Sequence, residues 1–267
     1  MIDRARLARL QGALLARAQV AAPANWLPVF LGDIRIGVSS LEVAAFLSTH
    51  ELRCLRSDDR LLIDDTGFDF ATRSALLFEV ASRLRDAGLL RGWRDEALDV
   101  RPLSGGAPLA RIERSACRAL GIATHAVHMN AFDTEGNLVV ARRADNKPID
   151  PGLWDNLVGG MVTAGEDELA ALARETREEA GLDLARLQNL TRGSLLREAR
   201  PVIEGYMIET VQVFDVRLPA GATPHNQDGE VAAIEVRSVG DVLDAIERDE
   251  FTLEAALVTI DGLRRRS

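Results

Sequence analysis

The chain has 267 residues, 47% hydrophobic and 27% charged, which is enough apolar material for one large domain or two modest ones. No run approaches the roughly 18 apolar residues of a membrane span, and the modest glycine and proline content with varied patterning excludes collagen, coiled-coil and disordered classes. The net charge of −9 lies in the second half: residues 1–118 hold 17 basic and 15 acidic side chains, whereas 119–267 hold 15 and 26. An acidic half of this kind excludes broad binding of a nucleic-acid polymer, whose phosphates need a basic surface. Clustered carboxylates have another common use, the holding of hard divalent cations. Cys54 and Cys117 are far apart and lack Cys-x-x-Cys spacing, which argues against a disulfide framework or thiolate zinc site and fits a reducing cytoplasm.

In chain order, Leu7, Leu10 and Leu14 at helical spacing predict an amphipathic surface helix within Met1–Val20. The opening lacks the apolar core and small-residue cleavage site of a secretory signal, so a cytoplasmic protein with no membrane partner is expected. A short strand near Val29–Gly37 precedes a helix capped by Ser40 and running through Leu47, then a short strand at Leu61–Ile63. Phe70, Leu76, Leu77, Val80 and Leu84 predict a helix over 69–87, stopped by Gly88. A strand over Trp93–Val100 and a linker at Ser104–Pro108 follow, then a connecting helix over Leu109–Ala119, with a domain boundary near residue 118. In the second half, Thr124–Phe132 and Leu138–Arg142 flank a turn and predict a hairpin, followed by a loop over Ala144–Asn156. A helix from about Asp167 to Ala180 ends at Gly181. Strands at Leu190–Leu196, Tyr206–Val216 and Val231–Val236 and helices at Val239–Arg248 and Leu253–Arg264 complete an α+β order.

The helix over 167–180 is the informative element. Offsets of three and four put Glu175, Glu178 and Glu179 on one side within about one turn, with Leu169, Leu172, Ala173, Thr176 and Ala180 as the opposing core stripe. Like charges so placed repel, which leaves two readings: a solvated acidic face, or a face that holds a divalent cation.

The whole stretch from Gly160 reads Gly-x5-Glu-x7-Arg-Glu-x-x-Glu-Glu-x-Gly, with Glu166, Arg174 and Gly181 as its other fixed positions. Seven residues in this register arise by chance roughly once in a million chains of average composition. The motif resembles the box of the Nudix hydrolases, with Thr176 where that family prefers an aliphatic residue. Its hydroxyl is expected to bond a carbonyl one turn back. The resemblance implies a C-terminal Nudix fold over 119–267, a mixed sheet sandwiched between helices, with a smaller N-terminal α/β accessory domain over 1–118. It further implies one to three Mg²⁺ or Mn²⁺ ions, held by Glu175, Glu178, Glu179 and the carbonyl of Gly160, and water attack on a diphosphate linkage. On this reading Glu175 and Glu179 are catalytic, Glu166 and Arg174 form a structural ion pair, and Gly181 is a helix stop needing positive φ. Such enzymes often add an acidic residue from outside the box. Glu230, in the turn Asp228-Gly229-Glu230, is the candidate, ahead of Glu198, Glu204 and Glu209.

Upstream of the box, Arg143 and the sole lysine, Lys147, are candidate phosphate binders. A similar loop occurs in isopentenyl diphosphate isomerases, but the cysteine and histidine those enzymes place before the box are missing from Val158–Met161. Gly92–Glu96, Ile112–Arg114 and Val127–Asn130 are similar to a Nudix subgroup related to the extension on fungal thiamine pyrophosphokinases. That likeness implies a thiamine diphosphate-like small-molecule substrate, with His128 and Asn130 reading its heterocycle and Trp93 stacking or packing at the domain junction. A hydrolase of nucleotides or nucleotide sugars, a non-catalytic diphosphate sensor and a homodimeric state stay open at this point. His50, His125 and His225 receive no role.

Overall fold

The computed structural model describes residues 3–49, 52–147, 149–187, 189–227 and 229–267. His50, Pro148 of the basic loop and Asp228 of the late acidic turn lie outside the described residues.

Helix α1 (Arg4–Ala18) starts at Asp3, whose carboxylate accepts the N–H groups of Ala5 and Arg6. The single strand expected near Val29–Gly37 is instead a hairpin of β1 (Leu27–Leu31) and β2 (Ile34–Ser39), because the chain reverses at Gly32-Asp33. Helix α2 (Leu41–Thr49) follows Ser40, whose hydroxyl accepts the N–H of Val43 at 3.2 Å. Strands β3 (Cys54–Arg56) and β4 (Leu61–Ile63) lead to α3 (Phe70–Asp86), capped by Asp69. Strand β5 (Ala97–Val100) begins later than expected and pairs with β6 (Ala110–Glu113). The connecting helix expected over Leu109–Ala119 is therefore half strand: Ala110 and Ile112 alternate with Arg111 and Glu113 at period two, and only α4 (Arg114–Ala119) coils.

The second half comprises β7 (Ala123–Phe132), β8 (Leu138–Arg143), β9 (Trp154–Asn156), β10 (Val158–Met161), α5 (Glu168–Ala180), β11 (Thr191–Val202), β12 (Gly205–Arg217), β13 (Val231–Arg237), α6 (Val239–Glu247) and α7 (Leu253–Arg266). Strand β9 occupies the end of the loop expected over Ala144–Asn156, where it pairs with β8. The first-half sheet has the order β2-β1-β4-β3. The larger sheet runs β11-β12-β7-β8-β13, with β10 beside β7 and β9 beside β8, and is mixed because β12 and β7 run parallel.

Period-two alternation along β7 divides the second-half core. Val127, Met129 and Ala131 face α5, and Phe132 packs in the cluster containing α7 and α1. Every residue from Ala255 to Leu263 is buried, since α7 is covered by the sheet on one side and by Leu7, Leu10 and Leu14 of α1 on the other. Helix α5 sits rotated from its expected register. Its buried residues are Ala171, Leu172, Thr176 and Ala180, while Leu169 and Ala173 are exposed. The rotation turns the glutamate side partly inward. The Thr176 hydroxyl is buried without the expected bond to a carbonyl, or any other hydrogen-bond partner among the described residues. No helix of the described residues is long and apolar enough to cross a membrane.

Leu7 is fully buried against the last helix, so Leu7→Ala is expected to destabilise the fold by about 2–5 kcal/mol through lost contact and a residual cavity. Urea unfolding followed by circular dichroism will read this as a lower midpoint with unchanged slope.

Candidate functional site

One cavity of about 870 Å³ is bounded by the β7–β10 edge, α5, the start of α7 and the β11–β12 hairpin, with Arg94, Glu96, Arg114 and Arg118 from the first half. Its size suits an organic ligand of metabolite dimensions.

The box residues occupy one wall of this cavity. Asp167 caps α5 by accepting the Ala170 N–H at 2.8 Å, and Gly181 ends the helix with φ of 62°. The expected Glu166–Arg174 pair is present: Nε to Oε1 is 3.1 Å and Nη2 to Oε2 is 2.9 Å. Arg174 also donates to the Met161 carbonyl at 2.9 Å, which ties β10 and its loop to the helix. Burial alone would raise the Glu166 pKa, but Arg174 holds it below the ordinary carboxylate value.

Glu175 accepts from Arg174 Nη1 at 2.7 Å, and Glu178 lies 3.5 Å from the same nitrogen. Glu179 accepts the Gly159 N–H at 2.9 Å. Desolvation pushes the pKa of Glu179 well up, and the Gly159 bond offsets this only in part. Glu175 is raised by the same cause despite Arg174. A Cβ at Gly160 would collide with the Glu175 carboxylate, so only glycine lets that side chain cross in front of β10. The donors are hard oxygens on one cavity wall, and at least one buried carboxylate lacks a cation, which is the chemistry a divalent ion satisfies. Among the described residues no three such side chains are already drawn together as a ligand cluster, and Glu175 turns toward Arg174.

The expected substrate-binding residues separate into two groups. Arg143 lines the cavity but is committed to Asp155 Oδ2 at 3.0 Å and to the Ile149 and Asp150 carbonyls at 3.0 and 3.1 Å. Lys147 lines it too, paired with Glu230, whose pKa the lysine holds down against burial. His128 reaches the cavity, yet Nδ1 engages Asn156 Oδ1 and Nε2 engages Glu254, both at 2.9 Å. Desolvation disfavours the imidazolium, but Glu254 outweighs it and raises the pKa to about 10. His128 thus has no ring nitrogen left over for a heterocycle. Asn130 does not line the cavity: its amide donates to Asp215 at 2.9 Å and to the Val258 carbonyl at 3.0 Å, under α7. Both residues share the inward face of β7, where the period-two pattern delivers them to α7. Trp93 packs within the first half, beneath the Arg85 guanidinium.

A second group of carboxylates closes the inner end. Glu198 and Glu209 are register partners on β11 and β12, and Glu254 joins them from the first turn of α7. All three are buried or nearly so, and one oxygen each of Glu198 and Glu254 has no hydrogen-bond partner among the described residues, the Glu254 oxygen meeting His128 as an ion pair alone. Glu204 lies at the rim, 3.5 Å from Arg118. Sequence reasoning ranked Glu198, Glu204 and Glu209 below Glu230, and missed Glu254, Arg118 and Arg200 altogether, because only folding brings these strands and helices together.

Residues 123–257 match the family model described as the NUDIX domain, and residues 11–124 match one described as a domain of unknown function, DUF4743. Nudix hydrolase 20, chloroplastic, of Arabidopsis thaliana is 29% identical over 197 residues, covering 72% of this chain and 53% of that protein, so the chain spans about half the length of this relative. An uncharacterised Saccharomyces cerevisiae protein is 26% identical over 238 residues, covering 82% of this chain and 66% of that one. The crystal structure of DR0079 from Deinococcus radiodurans gives a TM-score of 0.49 at 23% identity, covering 64% of this chain and 98% of that one.

Desolvation and Glu254 raise Glu198 to about 8 and Glu209 to about 7. These carboxyls and His128 bind protons more tightly folded than unfolded, so stability falls as pH rises from 4.5, the ordinary carboxyl value, to about 10, where His128 titrates in the fold. Thermal unfolding without added metal is expected to show a midpoint several degrees lower at pH 9 than at pH 6, and Glu198→Gln should flatten that slope.

Proposed function

Because the chain belongs to the Nudix domain family, matched over residues 123–257, we propose that it hydrolyses a diphosphate linkage in a small organic substrate. The proposed cofactor is one to three Mg²⁺ or Mn²⁺ ions held by Glu175, Glu178, Glu179 and the Gly160 carbonyl. The observation that carries this reading is the placement of all three glutamates on the wall of one large cavity, in the last two turns of α5. Burial disfavours the ionised forms of Glu175 and Glu179 without a cation, and Glu179 also faces the negative end of the helix dipole. When bound, such an ion supplies charge neutralisation at the phosphoryl oxygens and acidifies water. The attacking water oxygen bonds to phosphorus as the bridging P–O bond breaks, and its proton passes to a carboxylate. Glu175 and Glu179, together with Glu230, which Lys147 holds ionised, are the acidic groups assigned to these roles. Arg174 and Glu166 keep loop and helix in register while this happens.

We further propose a thiamine diphosphate-like substrate. Support comes from the inner end of the cavity, where Glu209 and Glu254 line the wall with Glu198 behind them. Such buried carboxyls can accept from an amino donor, and a positive charge on the same ring would draw them toward the ionised form.

Two measurements test these assignments. Glu179→Gln keeps an acceptor for the Gly159 N–H and removes a buried charge, so turnover should be abolished while the thermal midpoint is unchanged or raised; unchanged activity would overturn the metal role. In a Mg²⁺-dependent phosphate-release screen of thiamine diphosphate, oxythiamine diphosphate, ADP-ribose, NADH and deoxynucleoside triphosphates, the thiamine-type compounds are expected to turn over best. Preference for ADP-ribose would overturn the substrate assignment.

A further inference from the structure

Two first-half segments, Gly92–Glu96 and Ile112–Arg114, meet at the rim of the cavity. The antiparallel pairing of β5 with β6 sets Ala97 opposite Glu113, which brings the loop before β5 beside the start of α4. Glu113 is only 1% exposed, and its carboxylate accepts the backbone N–H groups of Arg94 at 2.9 Å and Glu96 at 3.1 Å. The Arg114 N–H donates to the Glu96 carbonyl at 2.8 Å. Trp93 is pinned by its Nε1–H to Asp95 at 2.6 Å and by the Arg85 guanidinium 4.3 Å from its ring centre. Asp95 itself adopts φ of 56°, a conformation that costs free energy outside glycine and persists only where the surroundings enforce it. A buried carboxylate and a strained residue are thus both spent on holding one short loop in place.

What that loop presents is positive charge. Arg94 and Arg114 both line the cavity. One Arg114 nitrogen donates to Glu96 at 2.7 Å, and its charge acts on Glu175 in the box and Glu230 opposite. The Arg94 side chain has no hydrogen bond or ion pair among the described residues, whereas Arg143 and Lys147 are already satisfied by protein partners. A diphosphate entering this acidic cavity needs guanidinium nitrogens that the protein has not already used: Arg94, whose charge acts on Glu230 from a distance, keeps its whole fork, and Arg114 keeps all but the nitrogen on Glu96.

We propose that Arg94 and Arg114 form a phosphate clamp for the non-bridging oxygens of the substrate's diphosphate, which makes the segment from Gly92 to Arg114 part of the active site. The assignment rests on the diphosphate-hydrolase reading. Calorimetric titration of the full chain with methylenediphosphonate in Mg²⁺ buffer tests it. Arg94→Ala should weaken binding roughly ten- to a hundredfold, the range for a charge-assisted hydrogen bond. Arg94→Lys should restore part of the loss, since it keeps charge without the fork. The same variants should raise KM for the hydrolysed substrate with a smaller change in kcat, and leave the thermal midpoint unmoved because Arg94 is exposed. Wild-type affinity and KM in Arg94→Ala, or no binding of the probe to the wild-type chain, would overturn the clamp. If the wild-type chain hydrolyses a diphosphate while Arg94→Ala behaves identically, the clamp fails and the hydrolase reading stands. If no substrate is hydrolysed but the probe binds through Arg94, the reverse holds.

Discussion

Carboxylates crowded into one cavity are the constraint around which this molecule is arranged. Glu175, Glu178 and Glu179 stand in the last two turns of α5, and Glu209 and Glu254 gather at the other end of the same space with Glu198 behind them. Burial disfavours the ionised forms of Glu175, Glu179, Glu198 and Glu209, and the protein answers the two ends differently. At the box, Arg174 and the Gly159 N–H give partial relief and leave room for an external cation. At the inner end, His128 neutralises Glu254, while Glu198 and Glu209 are pushed toward the protonated form.

This division explains why the sheet and α7 are built as they are. A helix buried on all sides can bring Glu254 beneath the sheet only if something covers its outer face, and α1 does so with three leucines. The parallel pairing of β12 with β7 sets Glu209 beside Thr124, whose hydroxyl donates to it at 2.6 Å. The first half completes the enclosure with arginines, which offset the charge of a cavity that would otherwise repel any phosphate.

The α5 box was legible because its chemistry is local. Gly160, Glu166, Arg174 and Gly181 act on neighbours within about twenty positions, so the roles that the resemblance of the motif implies for loop and ion pair needed no distant part of the chain. The rotation of α5, which exposes Leu169 and draws the glutamates inward, was not legible, since a 3.6-residue period defines a face without saying which edge of it a sheet will cover. The strand β6 was missed for a related reason: four residues give a period-two signal too short to oppose the helical propensity of the adjoining Arg114–Ala119.

His128 and Asn130 show the limit most plainly. Two apart on one strand, they share a face, but whether that face meets solvent, ligand or another helix depends on α7, more than 120 residues later. The sequence alone determined the helix that carries the acidic box and the α+β class, because helical periodicity is encoded residue by residue, and it named the candidate metal donors through the resemblance of its motif. Tertiary structure alone decided which cations are already neutralised, which carboxylates are buried together and where Arg94 points, because desolvation and pairing depend on groups distant in the chain.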